Sequence, residues 1–278
     1  MKTILVPVEQ HSLIHNVFEA SVTLAKLFDS YIEGAAIGVD LPDVPIMDVA
    51  VGLPSVWDHE IRKEMAEASR QTFENYFTAK KIPRAEDKPD GLCWQWHPAG
   101  PTTDTMLGAE GRCFDITVVG RPSTKEPIPR ITTVESALFE SGHPVLVIPP
   151  EPVHSLNEHI MIAWNGSSET ARAVAFAKPL LEKAKHVTVL GIHGWNVGGP
   201  SAEEMVRMLN ISGIKAEHMF LDTVTEEYGN MILKTAMDKK CDLLIKGAYT
   251  QSRLRQMIFG GATNTILYEA QLPVLFAH

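Results

Sequence analysis

Long hydrophobic runs are missing from this sequence. Nowhere do about 18 or more apolar residues follow one another, which argues against a membrane-spanning helix. The stretch Met1-Lys2-Thr3-Ile4-Leu5-Val6-Pro7-Val8 holds only a short apolar run, without the charged leader, longer apolar segment and small-residue cleavage site of a secretory signal. A cytoplasmic address is expected. Cysteine is scarce: Cys93, Cys113 and Cys241 lie far apart and form no CxxC pair, which speaks against a disulfide framework and predicts reduced, buried thiols. Basic residues number 25 against 34 acidic ones, and the net charge of -9 argues against general affinity for nucleic acid backbones.

Catalytic signatures are missing as well. There is no Walker loop, no dinucleotide fingerprint and no Gly-x-Ser-x-Gly elbow around Ser167. The 11 histidines include no zinc-hydrolase spacing. His11 and His15 are four apart but straddle a loop and a helix start, so surface or capping roles are expected. Cys93-Trp94-Gln95-Trp96-His97 alternates as a strand does, placing both tryptophans on one face for packing between sheet and helix. Met205, Met208, Met231 and Met237 read as core filling.

What is present is a repeat. Lys2–Val8 and His159–Gly166 are apolar runs that lead through a polar turn into a helical pattern. Cys113-Phe114-Asp115-Ile116-Thr117-Val118-Val119-Gly120 parallels Lys240-Cys241-Asp242-Leu243-Leu244-Ile245-Lys246-Gly247. Glu140–Ile148 parallels Glu269–Ala277, and Asp115 and Asp242 read as element boundaries. The boundary between the copies falls in Pro149-Pro150-Glu151-Pro152, giving domains over 1–150 and 157–278.

Each half alternates strands and helices. In the second, strands are expected at Ile160–Trp164, Val187–His193, Ile214–Phe220, Leu243–Lys246 and Val274–Ala277. Helices are expected after Ser167 or Ser168, over Ala202–Asn210 and Glu226–Lys239, and from about Thr263. Ala171, Val174, Ala175 and Leu181 are assigned to the inner face of the first of these helices. The first half follows the same series with a longer second helix near Asp58–Lys80. The fold class is α/β, two homologous doubly wound five-stranded parallel-sheet domains.

In such sheets ligands bind beyond the carboxyl ends of the strands, where the strand order reverses. The loops to consider follow the first and fourth strands. In the second half these are Asn165-Gly166-Ser167-Ser168 and Gly247–Arg253, the latter running on to Gly260-Gly261-Ala262-Thr263. Two readings stand side by side. The glycines bring backbone N–H groups close to an anion, with the Thr263 hydroxyl and Arg253 or Arg255 complementing a phosphate. Otherwise they shape a turn and admit the next helix. In the first half Arg121–Arg130 carries three prolines, which withdraw N–H donors, and Glu9 at the first strand exit repels a phosphate. That half reads as structural, its cleft suited at most to a non-nucleotide ligand.

Gly247-x-x-Thr250 through Gly260-Gly261, followed by Pro273-Val274-Leu275, resembles the end of a universal stress protein domain. Ala163-Trp164-Asn165-Gly166-Ser167 resembles that family's first-strand exit, usually Asp-Gly-Ser. The resemblance spans both halves and is stronger in the second. It implies an adenine-nucleotide alpha-hydrolase-like sheet of strand order 3-2-1-4-5, paired through its last strands into an intrachain pseudo-dimer, and a possible homodimer. Many members bind ATP through Gly-x2-Gly-x9-Gly-[Ser/Thr], and that implies a nucleotide site of Ala163, Trp164, Asn165, Gly247, Thr250, Arg253, Gly260, Gly261, Ala262 and Thr263. The chain departs from the pattern at Thr250, Gly261 and Asn165. The function implied is that of a non-enzymatic stress-response or regulatory protein, taking ATP, ADP or AMP with Mg²⁺ and acting through protein partners of unknown identity. The alternatives are a slow Mg²⁺-dependent nucleotide hydrolase or phosphotransferase using Asn165 and Thr263, and a ligand-free interaction module.

Overall fold

Continuous apolar runs become strands of a sheet that is covered on both faces. The computed structural model describes residues 1–37, 54–85, 91–98, 103–124, 128–222, 227–248 and 261–278. The first half runs β1 (Thr3–Val8), α1 (Ile14–Phe28), β2 (Tyr31–Ala36), α2 (Pro54–Ala79), β3 (Cys93–Trp96), α3 (Asp104–Glu110), β4 (Ile116–Gly120), α4 (Ile131–Glu140) and β5 (Val145–Ile148). The second runs β6 (His159–Ala163), α5 (Ser168–Lys183), β7 (His186–Ile192), α6 (Ala202–Ile211), β8 (Ala216–Leu221), α7 (Tyr228–Asp238), β9 (Leu243–Gly247), α8 (Ala262–Glu269) and β10 (Val274–Ala277).

The strands form one ten-stranded sheet, β3-β2-β1-β4-β5-β10-β9-β6-β7-β8. From its outer edge inward, each half follows the order third, second, first, fourth, fifth. Strand pairs within a half are parallel, whereas β5 and β10 pair antiparallel, Val274 opposite Val147 and Phe276 opposite Val145. The pairing of the last strands makes one sheet with a seam, and the strands of the two halves run across it in opposite directions.

The register fixes which residues correspond. Ile4 lies opposite Ile32 and Ile116, and Ile160 opposite Val187 and Leu243. Glu9 therefore stands where Asn165 does, Val119 where Lys246 does, and Gly120 where Gly247 does. The two aspartates named as boundaries do matching work. Asp115 accepts the N–H of Thr3 at 3.2 Å, and Asp242 those of Glu158 and His159 at 2.8 and 2.9 Å, each tying the start of a first strand to the start of a fourth.

Trp94 and Trp96 both meet Phe73 of α2, with ring centroids 5.8 and 5.6 Å apart, as strand alternation predicts. Three expectations need correction. Ala171 and Ala175 are exposed; α5 buries Thr170, Ala173, Val174, Ala177, Leu180 and Leu181, a stripe of helical period turned toward β9 and β10. Met205 and Met231 pack against the core, but Met208 and Met237 are exposed on the outer faces of α6 and α7. Cys93 and Cys241 are buried and Cys113 is exposed.

Phe276 is fully buried on β10, directly at the seam. Phe276→Ala is expected to lower the stability measured by urea denaturation by about 3–5 kcal/mol through the cavity it opens. An unchanged midpoint would mean that the seam carries little of the packing energy.

Candidate functional site

The first and fourth strands of each half are neighbours whose following helices lie on opposite faces of the sheet, which leaves a crevice at their carboxyl ends. In the second half the walls are the exits of β6 and β9. Asn165 is buried, and its Oδ1 accepts the Ser167 N–H at 3.2 Å and the Thr170 hydroxyl at 2.8 Å. Ser167 caps α5 by accepting the Thr170 N–H at 3.2 Å. The side chain of Asn165 thus shapes the entry of α5. Gly247 is needed by the same helix, since a Cβ there would lie 2.3 Å from the Thr170 nitrogen.

The loop after β7 folds over the β6 exit. Trp164 Nε1 donates to the Pro200 carbonyl at 2.8 Å, and the Val197 N–H donates to the Asn165 carbonyl at 3.1 Å. Gly199, at φ +146, comes so close to Gly166 that a Cβ would sit 2.4 Å from its carbonyl oxygen. Trp195 in this loop stacks on Tyr228 of α7, with centroids 6.3 Å apart and planes 28° off parallel.

Between this loop and α8 lies Lys246, which sequence reading did not single out. It is 4% exposed, its Nζ donates to Thr263 Oγ1 at 2.9 Å and to the Gly247 carbonyl at 2.8 Å, and it lies 5.8 Å from the Trp195 ring centroid. Among the described residues no carboxylate pairs with it. Burial pushes its amine down to about 7. Thr263 is the second residue of α8, whose N-cap Gly261 provides no side-chain cap. The amine therefore sits at the positive end of a helix whose first N–H groups have no intrahelical partner. The signal in the sequence was a lysine inside the strand run Leu243-Leu244-Ile245-Lys246-Gly247, where every position is buried.

The first half fills the matching place with its own side chains. Glu9 is buried and pairs with Arg130 Nε at 2.9 Å. It also accepts the Thr133 hydroxyl at 3.1 Å and the Arg130 N–H at 3.4 Å, so a carboxylate occupies the N-terminus of α4. Burial raises the Glu9 carboxyl above its ordinary value, and Arg130 opposes that shift. A Cβ on Gly120 would meet Pro129 at 2.7 Å and the His11 ring at 3.3 Å. The His11 Nδ1 accepts the Leu13 N–H at 3.2 Å, a turn-capping role, and burial pushes this imidazole down to about 4. Sequence reading saw Glu9 as repelling a ligand but not its partner Arg130, 121 residues away.

Of the expected site residues, Ala163, Trp164, Asn165, Gly247, Gly261, Ala262 and Thr263 lie around one crevice. Thr250, Arg253 and Gly260, with the Gly-x2-Gly-x9 spacing they belong to, lie outside the described residues. Ala163 and Trp164 are buried in the core. Among the described residues no group of three or more metal-ligating side chains is assembled, and no helix is long and apolar enough to cross a membrane.

Residues 212–278 match the sequence model of the universal stress protein family. A universal stress protein of Synechocystis sp. is 24% identical over 201 residues, 64% of this chain. The match spans 63% of that relative's length. A universal stress protein of Thermus aquaticus is 28% identical over 131 residues, 42% of this chain and 95% of that protein. The crystal structure of a universal stress protein from Archaeoglobus fulgidus superposes with a TM-score of 0.72 at 17% identity, covering 99% of this chain and 95% of that one, a likeness of fold.

Two outcomes follow from these charges. Arg130→Ala leaves the buried Glu9 carboxylate without its cation and is expected to cost about 3–5 kcal/mol. Glu9→Gln removes the more deeply buried charge and leaves Arg130 able to reach water, at about 1–3 kcal/mol. Urea denaturation of both variants checks the order, and the reverse order would contradict it. Lys246, with an unfolded value near 10.5 and a folded one near 7, binds fewer protons folded than unfolded between those values. Stability should then rise with pH in that window by at most roughly 1.4 kcal/mol per unit, with the penalty complete below 7. Lys246→Met should remove this slope and be the more stable protein at pH 7. Parallel pH curves for the two proteins would show that the buried amine keeps its ordinary proton affinity.

Proposed function

We propose that this chain is a member of the universal stress protein family, whose sequence model matches residues 212–278, and that it is a non-enzymatic stress-response protein binding ATP or a related adenine nucleotide in its second half only. The observation that carries this reading is the contrast in charge between the crevices. The N-terminus of α4 already holds the carboxylate of Glu9, whereas the N-terminus of α8 has the Lys246 amine on its Thr263 hydroxyl. A polyphosphate fits the second arrangement, because helix N-termini and buried cations both favour anions. Gly261, Ala262 and Thr263 offer N–H groups and a hydroxyl to a phosphate. Trp195, stacked on Tyr228 beside Lys246, supplies an aromatic wall for a planar base.

Asn165 contributes differently from the way the family pattern implies. Its Oδ1 accepts from Ser167 and Thr170 and so holds the entry of α5 in place. The non-enzymatic reading rests on the lack of a positioned nucleophile and base among the described residues of this crevice. The Ser167 and Thr170 hydroxyls are bonded to each other and Thr170 to Asn165 Oδ1, and Lys246 is bonded to Thr263 and a carbonyl.

A thermal-shift titration with ATP, ADP and AMP, with and without Mg²⁺, tests the reading. Saturating nucleotide should raise the melting temperature, with about 2.7 kcal/mol of added stability at a hundredfold excess over Kd. Gly261→Val, which places a branched side chain at the start of α8 where φ is an unstrained -105, should fold normally and lose the shift. The absence of any shift in the wild type at millimolar nucleotide would overturn the reading.

A further inference from the structure

We propose that Lys246 is the anion-receiving residue of the second half and that it takes up a proton when a polyphosphate binds. This deepens the nucleotide reading and rests on it for the identity of the ligand. The geometry carries it. Lys246 Nζ is enclosed, reaches Thr263 Oγ1 at 2.9 Å in the first turn of α8, and meets no carboxylate among the described residues. A positive charge buried at the positive end of a helix is opposed twice, by lost hydration and by the helix dipole, unless an anion joins it. The first half shows the occupied counterpart. There the anion is built in, as Glu9 held by Arg130 and Thr133 at the start of α4, and the position equivalent to Lys246 is the apolar Val119. The second half has the reverse arrangement, with Asn165 in place of the carboxylate and a lysine in place of the valine.

The surroundings of the amine make the proton linkage specific. Its strand neighbours are Ala163 on β6 and Phe276 on β10. Facing it are Thr263 from α8 and Trp195 from the β7 loop, with Tyr228 of α7 stacked behind. Other titratable groups stand on or beside these elements. Glu135 of α4 lines the seam with Thr263, His278 contacts the Ala248 carbonyl, and His193 pairs with Asp222 at the start of the β7 loop. None of them is among the causes of the shift, which is burial alone. Without ligand the amine is largely neutral above pH 7 and largely charged below it. A polyphosphate beside it favours the charged form, so binding above pH 7 draws a proton onto Nζ and weakens as pH rises.

The experiment is isothermal titration calorimetry of the full chain with ATP and, separately, with inorganic tripolyphosphate, in buffers of different ionisation enthalpy. The wild type should take up close to one proton per ATP at pH 8 and far less at pH 6. Its affinity should fall by up to about tenfold per pH unit above 7. Lys246→Met, which fills the same apolar volume, should bind at least about tenfold more weakly at pH 6.5 and exchange no proton through this site. Lys246→Arg keeps the charge without titrating, and should restore binding while flattening the pH dependence. ATP binding with unchanged affinity and unchanged proton exchange in Lys246→Met would overturn this inference and leave the nucleotide reading standing. Tripolyphosphate binding with proton uptake, beside no binding of ATP, would do the opposite. Neither ligand binding the wild type at any pH would overturn both.

Discussion

The antiparallel pairing of β5 with β10 is the contact on which the arrangement of this molecule depends. Each half alone would expose its fifth strand as an edge with unpaired N–H and C=O groups. Pairing these edges removes both and merges two parallel sheets into one. Because the pairing is antiparallel, the carboxyl ends of the first half's strands point in one direction and those of the second half's in the opposite one. The two crevices are thus kept apart and free to diverge in chemistry while the scaffold stays common. Asp115 and Asp242, which bind the first strand to the fourth in the same way in both halves, show how closely that scaffold is shared.

The divergence follows one rule: a buried charge needs a partner. In the first half the rule is met inside the protein. Glu9 sits among Arg130, Thr133 and the start of α4, with His11 and Pro129 packed around Gly120. In the second half Lys246 is buried with a hydroxyl and a carbonyl for company. Neither is an anion, and the helix end beside them favours one. The asymmetry between the halves is therefore one of charge more than of shape.

Much of this was legible in the sequence, and the physical reasons for what was not are specific. Parallel strands covered on both faces must be apolar throughout, so runs such as Ile160–Trp164 and Val274–Ala277 declared themselves, and Ser167 announced the start of α5. On the inner face of that helix Val174 and Leu181 were placed rightly and Ala171 and Ala175 were not, because alanines occupy both the covered and the open side, at 173 and 177 and at 171 and 175. Glu9 was visible as an obstacle to phosphate, but its cation lies 121 residues away and only the fold brings them together. Asn165 was implied as a ligand contact by the family resemblance; what the fold adds is that its Oδ1 also accepts from Ser167 and Thr170 of its own turn. Lys246 was overlooked because a lysine near a strand end ordinarily reaches solvent. Here α8 and the Trp195 loop enclose it.

The central claim, one crevice filled by the protein and one awaiting an anion, is tested most directly by counting. Equilibrium dialysis of the purified chain against labelled ATP at pH 6.5 gives the number of sites at saturation. The account predicts one nucleotide per chain, placed in the second half. Two per chain would contradict the role given to Glu9, and none would contradict the role given to the start of α8.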